Sequence, residues 1–501
     1  MCAMDHLACS KMDERIEGRR DCPKRFVFVF LAFMGMFNVY AMRVNLSVAM
    51  VAMAAPTTTT VHHHNDSRFV TECANLMPNR SATTTKTFKG EHFDWGPEVK
   101  GLILGSFFYG YVLTQIPGGY LAERYGGKWF FGVGVLVTAI FSLLTPIAAK
   151  WGVTPFVLVR IIEGLGEGMT FPAMNALISR WAPKLERSRV SSFIFTGTQI
   201  GNVVAMPISG WLSSTDLLGG WSSVFYVFGT VGCVWFLFWA FLAYERPTDH
   251  PSISMHELQL FQLDEKEVPC DKVKRRVPWT AIFRSVPMWA LVIAHFGHSF
   301  GYLILLTELP SYLSTILHFD VKENGLLSAL PYIVQAVSCW IASYLADRIR
   351  RSGTISITSI RKIFNTIGML GPAACLVGVT VSGCRPELIV GLITLAMALN
   401  ACTFSGVNVT HVDMSPQFAG ILYGLTNTAA NLCGVIGPAV VGGFTEHGET
   451  RANWASVFYL TASVYAFTAV IYDFFASAEL QPWDEQKDLQ SDDRRTSETT
   501  Y

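Results

Sequence analysis

The chain alternates long apolar runs with shorter polar ones, and the runs have the length of membrane crossings. Val190–Leu212, Trp221–Ala243, Glu387–Val409 and Trp454–Ala476 are almost free of charge. A bilayer core takes ~20 apolar residues in a helix. Hydropathy places twelve spans near residues 26–53, 98–120, 129–149, 154–178, 189–212, 221–243, 287–308, 323–346, 361–381, 386–409, 419–443 and 453–476. Two polar stretches interrupt the series. Residues 54–97 form a loop after the first span, and the charged stretch 244–286 divides the spans into two sets of six. The pattern predicts an all-α membrane protein with a tail (1–25), a first half (26–243), a linker (244–286), a second half (287–476) and a second tail (477–501). The tail 1–25 is polar and mixed in charge, so the first span is expected to serve as its own uncleaved anchor.

An internal repeat supports the division. Gly101-Leu102 and Leu121-Ala-Glu-Arg124 recur as Gly325-Leu326 and Leu345-Ala-Asp-Arg348, and Trp221-Ser-Ser-Val-Phe-Tyr226 recurs as Trp454-Ala-Ser-Val-Phe-Tyr459. Parallel six-span repeats are one way to build a central site that opens to each side in turn.

Basic residues orient the bundle. They crowd the short loops Arg180–Arg189 and Arg348–Lys362, on the side of both tails, which predicts that side to be cytosolic. The loop 54–97 falls on the opposite side. It carries the sequons Asn65-Asp66-Ser67 and Asn79-Arg80-Ser81, so Asn65 and Asn79 are candidate glycosylation sites. Its run His62–His64 is expected to be solvated loop rather than a metal site.

Composition agrees with the pattern. The chain is 51% hydrophobic and 15% charged, with mean hydropathy +0.34, where soluble domains carry about 25% charge. A net charge of zero argues against a nucleic-acid partner. Of eleven cysteines only Cys73 and Cys384 lie in external loops; a bond between them is not expected, and no metal-site spacing is present.

Charges inside spans are costly, and such residues are functional candidates by default. Arg43 lies ~25 Å along the first span at 1.5 Å per residue. Arg160, Glu163 and Glu167 share one face of the fourth span, at spacings of three and four. Arg43 and Arg160 offer forked donors to an anion, and Glu167, desolvated, can hold a proton. An alternative for Arg160 and Glu163 is a structural ion pair. Gly164, Gly166 and Gly168 are expected to allow close helix packing rather than to cradle phosphate. Glu123-Arg124 and Asp347-Arg348 begin short inner turns and are expected to latch helix ends in one conformation. His295 and His298 in the seventh span, with His411 and Asp413 after the tenth, are either proton relays or structural groups. Ser106 and His411 fall in different halves, so no hydrolytic dyad is expected and the chain is not expected to be an enzyme.

These residues assemble into a family pattern. Gly119-Tyr-Leu-Ala-Glu-Arg-Tyr-Gly-Gly-Lys128 resembles the signature loop between the second and third spans of the major facilitator superfamily. Gly105-Ser-Phe-Phe-Tyr-Gly-Tyr111, Thr114-Gln-Ile-Pro-Gly-Gly119, Glu163-Gly-Leu-Gly-Glu-Gly168, Phe171-Pro-Ala173 and Trp221–Tyr226 resemble its branch of sialin, type I sodium–phosphate cotransporters and vesicular glutamate transporters, with most similarity to the inorganic phosphate cotransporters. In the second half Pro310, Glu323-Asn-Gly325, His411 with Asp413, and Gly420-Ile-Leu422 fit as well. The resemblance implies an anion held by Arg43 and proton coupling through Glu163 and Glu167. It also bears on selectivity. Vesicular glutamate transporters have histidine where this chain has Leu104 and arginine where it has His298; sialin has tyrosine at the latter position and histidine in place of Asn175.

The expected function is a symporter of inorganic phosphate or a small organic anion, coupled to sodium or protons by alternating access, with Arg43, Arg160 and His298 as substrate contacts and no cofactor beyond the co-transported ion. A sialin-like proton-coupled organic acid exporter is the alternative, and an anion sensor on the same fold is a third reading. The expected setting is a monomer in the lipid bilayer of the plasma membrane, since residues 1–25 lack the acidic dileucine of sialin-like lysosomal proteins.

Overall fold

A computed structural model of the protein describes residues 23–54, 73, 92–182, 187–255, 257–259, 261, 277–415, 418–446 and 448–485. Asn65, Asn79 and His62–His64 lie outside the described residues.

Twelve helical spans are present among the described residues. The first half holds Lys24–Met53, Pro97–Tyr125, Gly127–Trp151, the broken span Val153–Gly168 with Thr170–Trp181, Arg187–Ser214 and Ser222–Leu242. The second holds Val286–Thr315, Val321–Ser352, Ile357–Val381, Pro386–Asn400 continued through a tight turn into Val407–Met414, Ala419–Asn431 with Cys433–Thr445, and Arg451–Phe475. Ten of these spans are long and apolar enough to cross a membrane by length and composition. The fourth and fifth are the two outside that set. The fourth carries Arg160, Glu163 and Glu167, and the fifth carries hydroxyl and amide side chains such as Thr196, Thr198, Gln199 and Asn202. Arg160, Glu163, Glu167, Thr198 and Asn202 are buried against protein, where such polarity is tolerated.

The end of the bundle with the tails and linker is here called the linker end. There, Glu257 accepts from the Lys24 and Arg25 amides at 3.0 and 2.8 Å, and Glu245 accepts from the Gly127 and Lys128 amides at 2.9 and 2.8 Å and pairs with Arg180. Each carboxylate satisfies the free N–H groups that open a helix and sits at the positive end of its dipole.

At the opposite end Cys73 and Cys384 are bonded, with Cα atoms 5.5 Å apart. The sequence reading did not expect this bond. The two cysteines are 311 residues apart and in loops of different halves, and only the assembled bundle brings those loops together.

The halves meet closely at this disulfide end. Gly101 of the second span lies against Pro438 of the eleventh, and Gly325 of the eighth lies against Met206 and Gly210 of the fifth. An added Cβ at Gly325 would stand 2.6 Å from the Met206 carbonyl oxygen. Gly101 and Gly325 are the matching glycines of the repeat, and each does the same work for its own half. Lys100 and Glu449 add an ion pair between the halves there, at 2.9 Å. At the linker end, by contrast, Arg124, Asp347 and Arg348 are exposed. Arg124 donates to the Tyr120 hydroxyl at 3.0 Å.

Gly164, Gly166 and Gly168 press on backbone of neighbouring spans. Gly164 lies against the Phe107 carbonyl, Gly168 against that of Tyr111 and Gly166 against that of Gly134. The run is a packing surface, and it fixes where Glu163 and Glu167 point.

Candidate anion and coupling site

Close packing of the fourth span on the second brings its charges to the middle of the first half, opposite the first span. Arg43 and Glu167 bond to each other across the two spans: Arg43 Nε donates to Glu167 Oε1 at 2.6 Å, and Nη2 closes on the same oxygen. The Nε edge of the guanidinium is thus turned to one carboxylate oxygen, and Nη2, though close to it, has no hydrogen bond of its own. Glu167 Oε2 is buried with no hydrogen-bond partner. The guanidinium lies against the rings of Tyr40 and Tyr111, each 4.6 Å away, and Phe107 at 5.2 Å. Aromatic faces hold a cation while leaving its N–H edge free to turn.

Arg160 pairs with Glu163 on its own helix, one turn away. The second oxygen of Glu163 accepts from the Thr145 hydroxyl at 3.1 Å. All four charged side chains are at least nine-tenths buried, yet only Glu167 keeps an oxygen without a partner.

A small cavity touches both arginines. Ser47, Leu104, Phe107 and, from the second half, Leu306 and Thr307 complete much of its wall. Leu104 is thus one of the residues facing a potential ligand. His298 is not part of this wall. Its Nδ1 lies 3.3 Å from Asn400 Nδ2, its ring stacks on Tyr302 at 6.1 Å, and the Asn202 amide of the first half reaches the Tyr302 hydroxyl at 3.4 Å. The structure so brings together Arg43, Arg160, Glu163 and Glu167, and sets His298 apart in a neutral polar network.

Several neighbours escaped the sequence reading. Tyr40 and Tyr111 are the stacking partners of Arg43, and Tyr40 is signalled only by its position one turn before it. Asn400 joins His298, Gln335 at 3.1 Å and the Gly368 carbonyl at 3.3 Å; a lone asparagine in an apolar span was its one visible sign. Ser106 donates to its own helix at the Ile103 carbonyl, 2.7 Å away, far from any dyad geometry. Among the described residues no cluster of metal-ligating side chains is present.

The model of the Major Facilitator Superfamily matches residues 28–438, the larger part of the chain. The chain belongs to that superfamily. Within the superfamily, human sialin is 41% identical over 462 residues, covering 92% of this chain and 91% of sialin. A Drosophila ananassae protein named "Putative inorganic phosphate cotransporter" is 38% identical, covering 94% of this chain and 96% of its own. The zebrafish (Danio rerio) vesicular glutamate transporter 2.1 is 35% identical, covering 97% and 80%. A solved bacterial homologue of the lysosomal transporter Spinster, in an inward-facing and unoccupied conformation, superposes with TM-score 0.68 at 15% identity over 92% of this chain. The inward-open xylose transporter XylE of E. coli gives 0.64 at 13% over 90%. These likenesses fix the fold. The protein is a multi-pass membrane transporter of the anion-carrying branch of the superfamily, and the facilitator fold of twelve helices in two halves accounts for its repeat.

Proposed function

We propose that the chain is a symporter of inorganic phosphate or a small organic anion, in which Arg43 binds the anion and Glu167 couples its movement to protons. The observation that carries this reading is the Arg43–Glu167 bond. An anion that takes the guanidinium must displace the carboxylate, because the two compete for the same N–H edge. A carboxylate displaced from its cation in a site closed to water takes up a proton, since burial penalises its charged form. Anion and proton therefore load together, and for a monovalent anion such as dihydrogen phosphate the net charge of the site is unchanged. Arg160 supplies a second positive wall to the cavity, held in place by Glu163. The halves rock about this site while Gly101 and Gly325 seal and unseal the disulfide end. Glu123, Arg124, Asp347 and Arg348 close the linker end in the opposite state.

The topology that goes with this reading has both tails in the cytosol of a plasma-membrane monomer. The basic short loops support it, and so does the Cys73–Cys384 bond, since disulfides persist on oxidising faces. A tagged protein found in lysosomes would move the carrier to the second reading, a sialin-like proton-coupled organic acid exporter, which the 41% identity to human sialin favours.

Uptake into proteoliposomes of labelled phosphate, glutamate, sialic acid and urate, under imposed proton or sodium gradients, tests both. Uptake driven by a proton gradient and abolished in Arg43→Ala is expected. Undiminished uptake in that variant would remove Arg43 from the anion site. In Glu167→Gln the proton gradient should cease to drive uptake, while exchange of labelled for unlabelled anion continues; drive by sodium alone would replace Glu167 as the coupling group.

A further inference from the structure

The second half holds a chain of proton-bearing groups that the anion site does not use. His295 of the seventh span, Thr426 of the eleventh and His411 near the end of the tenth meet in the bundle interior, each at most 4% exposed. His295 Nδ1 lies 2.9 Å from Thr426 Oγ1, and His411 Nε2 lies 2.7 Å from the same oxygen. His411 Nδ1 lies 3.2 Å from the Asn408 carbonyl. A carbonyl only accepts, so that nitrogen carries a hydrogen. Thr426 Oγ1 also lies 3.1 Å from the Tyr423 carbonyl.

These four contacts admit a neutral hydrogen-bonding pattern and protonated ones. In the neutral one His295 Nδ1–H donates to Thr426, and the Thr426 hydroxyl donates to His411 Nε2. In a protonated one, the hydroxyl turns its hydrogen to the Tyr423 carbonyl, and both imidazoles donate to its oxygen; His411 is then an imidazolium. In the protonated pattern every hydrogen on Thr426 and His411 that faces the cluster has an acceptor, which in a buried site is the condition for holding the extra proton.

We propose that His295, Thr426 and His411 form a proton-binding relay in the second half, carrying one proton between the middle of the bundle and its linker end. A proton arriving at His295 Nε2 releases the Nδ1 hydrogen to Thr426, and Thr426 passes its own hydrogen to His411 Nε2; His295 is then neutral with its hydrogen on Nε2 and its Nδ1 accepting from Thr426, and His411, now the imidazolium, gives its Nδ1 hydrogen to water at the linker end. One positive charge moves and nothing else changes charge. His295 lies ~14 Å from the start of its span and His411 ~5 Å from the end of its own, at 1.5 Å per residue. The relay therefore points toward the linker end. Asp413, two residues beyond His411, is held there by Arg361 at 2.7 Å.

The surrounding charges suit a single proton. His298 on the same span and His411 are the titratable groups that reach His295. Tyr423 of the eleventh span stands 5.6 and 5.3 Å from the two rings, and the first span brings Tyr40 within electrostatic reach of Tyr423. Tyr472 of the twelfth span is engaged by Thr410 at 2.6 Å, and Tyr465 by Asn400. Arg361 of the ninth is engaged by Asp413. A second imidazolium beside the first would meet only repulsion.

The relay rests on the proton-coupled reading above, and its test separates the two. Histidine-labelled protein in lipid nanodiscs, followed by ¹⁵N NMR, should show both His295 and His411 as Nδ1–H tautomers at high pH. As the pH falls, the two rings should report one shared protonation. Thr426→Val should break this into independent behaviour, and Thr426→Ser should restore it. An Nε2–H tautomer at His411, or shared protonation that survives in Thr426→Val, overturns the relay. In proteoliposomes given phosphate, with a pH-sensitive dye inside, Thr426→Val should slow proton entry severalfold while anion exchange persists. An unchanged rate of proton entry overturns the transit role. If the wild type moves no anion at all, the transport reading falls, and the NMR result still decides the relay.

Discussion

The two halves share a fold and a repeat, yet their interiors are chemically opposite. The first half keeps two arginines and two glutamates at its centre, in pairs that differ in one respect. Arg160 and Glu163 are one turn apart on a single helix, and both oxygens of Glu163 have partners. Arg43 and Glu167 reach each other from different spans, and Glu167 leaves one oxygen unmatched. Among the described residues the second half brings no arginine to this level: it offers Glu308, buried one residue beyond the cavity-wall Thr307, and His295, His298, Asn400, Gln335 and Thr426 in hydrogen-bonded groups. A buried ion pair whose carboxylate is fully matched is a fixture. One that is half satisfied has room for a competitor. The contrast teaches that exchange of partners belongs to the first half, and that the second offers hydrogen bonds whose direction can reverse.

The difference between the two ion pairs is the easiest part to break. Glu163→Gln leaves Arg160 charged, buried and without its counter-ion, and removing one partner of such a pair costs ~3–5 kcal/mol. Thermal unfolding followed by tryptophan fluorescence should show a clear loss of stability, while a proton gradient still drives what uptake remains. If Glu163→Gln uncouples uptake as Glu167→Gln does, the distinction between the pairs is lost.

The matched glycines offer a gentler perturbation, one in each half. Valine at Gly101 or Gly325 forces a side chain against a backbone carbonyl of the other half. Overpacking of this kind costs ~1–3 kcal/mol, roughly 5- to 150-fold in the balance of two states. Spin labels at Glu98 and Glu446 should report a longer distance in both variants, to a similar degree. A response to only one would show that the halves do not share the seal equally.

The smallest effect is expected in the neutral net. His298→Arg places a charge in the second half, as the resemblance to vesicular glutamate transporters suggests. Competition by unlabelled glutamate against labelled phosphate should strengthen by up to about tenfold, or ~1.4 kcal/mol. No change would place selectivity elsewhere, with Leu104 in the cavity wall the next residue to vary.

Much of this was legible in the residues themselves. Hydropathy located the spans to within a few residues along most of the chain, because lipid demands an unbroken apolar helix whatever its neighbours. The spacing of Arg160, Glu163 and Glu167 showed that one helix face carried them. What periodicity does not contain is distance between helices. Arg43 and Glu167 were visible as two separate candidates, one for the anion and one for the proton, and their bond to each other was not. The same limit hid the Thr426 bridge between His295 and His411: threonine is too common in spans to attract notice, and its meaning depends on two partners from other helices. The Cys73–Cys384 bond was missed for the same reason.

That bond makes the protein a closed ring of chain. Residues 73 and 384 belong to different halves, and the linker 244–286 joins those halves along the sequence. A protease that cuts between residues 262 and 276 would therefore not separate them. On a non-reducing gel the cleaved carrier should run as one species, and a reductant should release two fragments of about half its mass. Covalent continuity between the halves is thus provided twice, once at each end of the bundle, and by chemistries that different reagents sever.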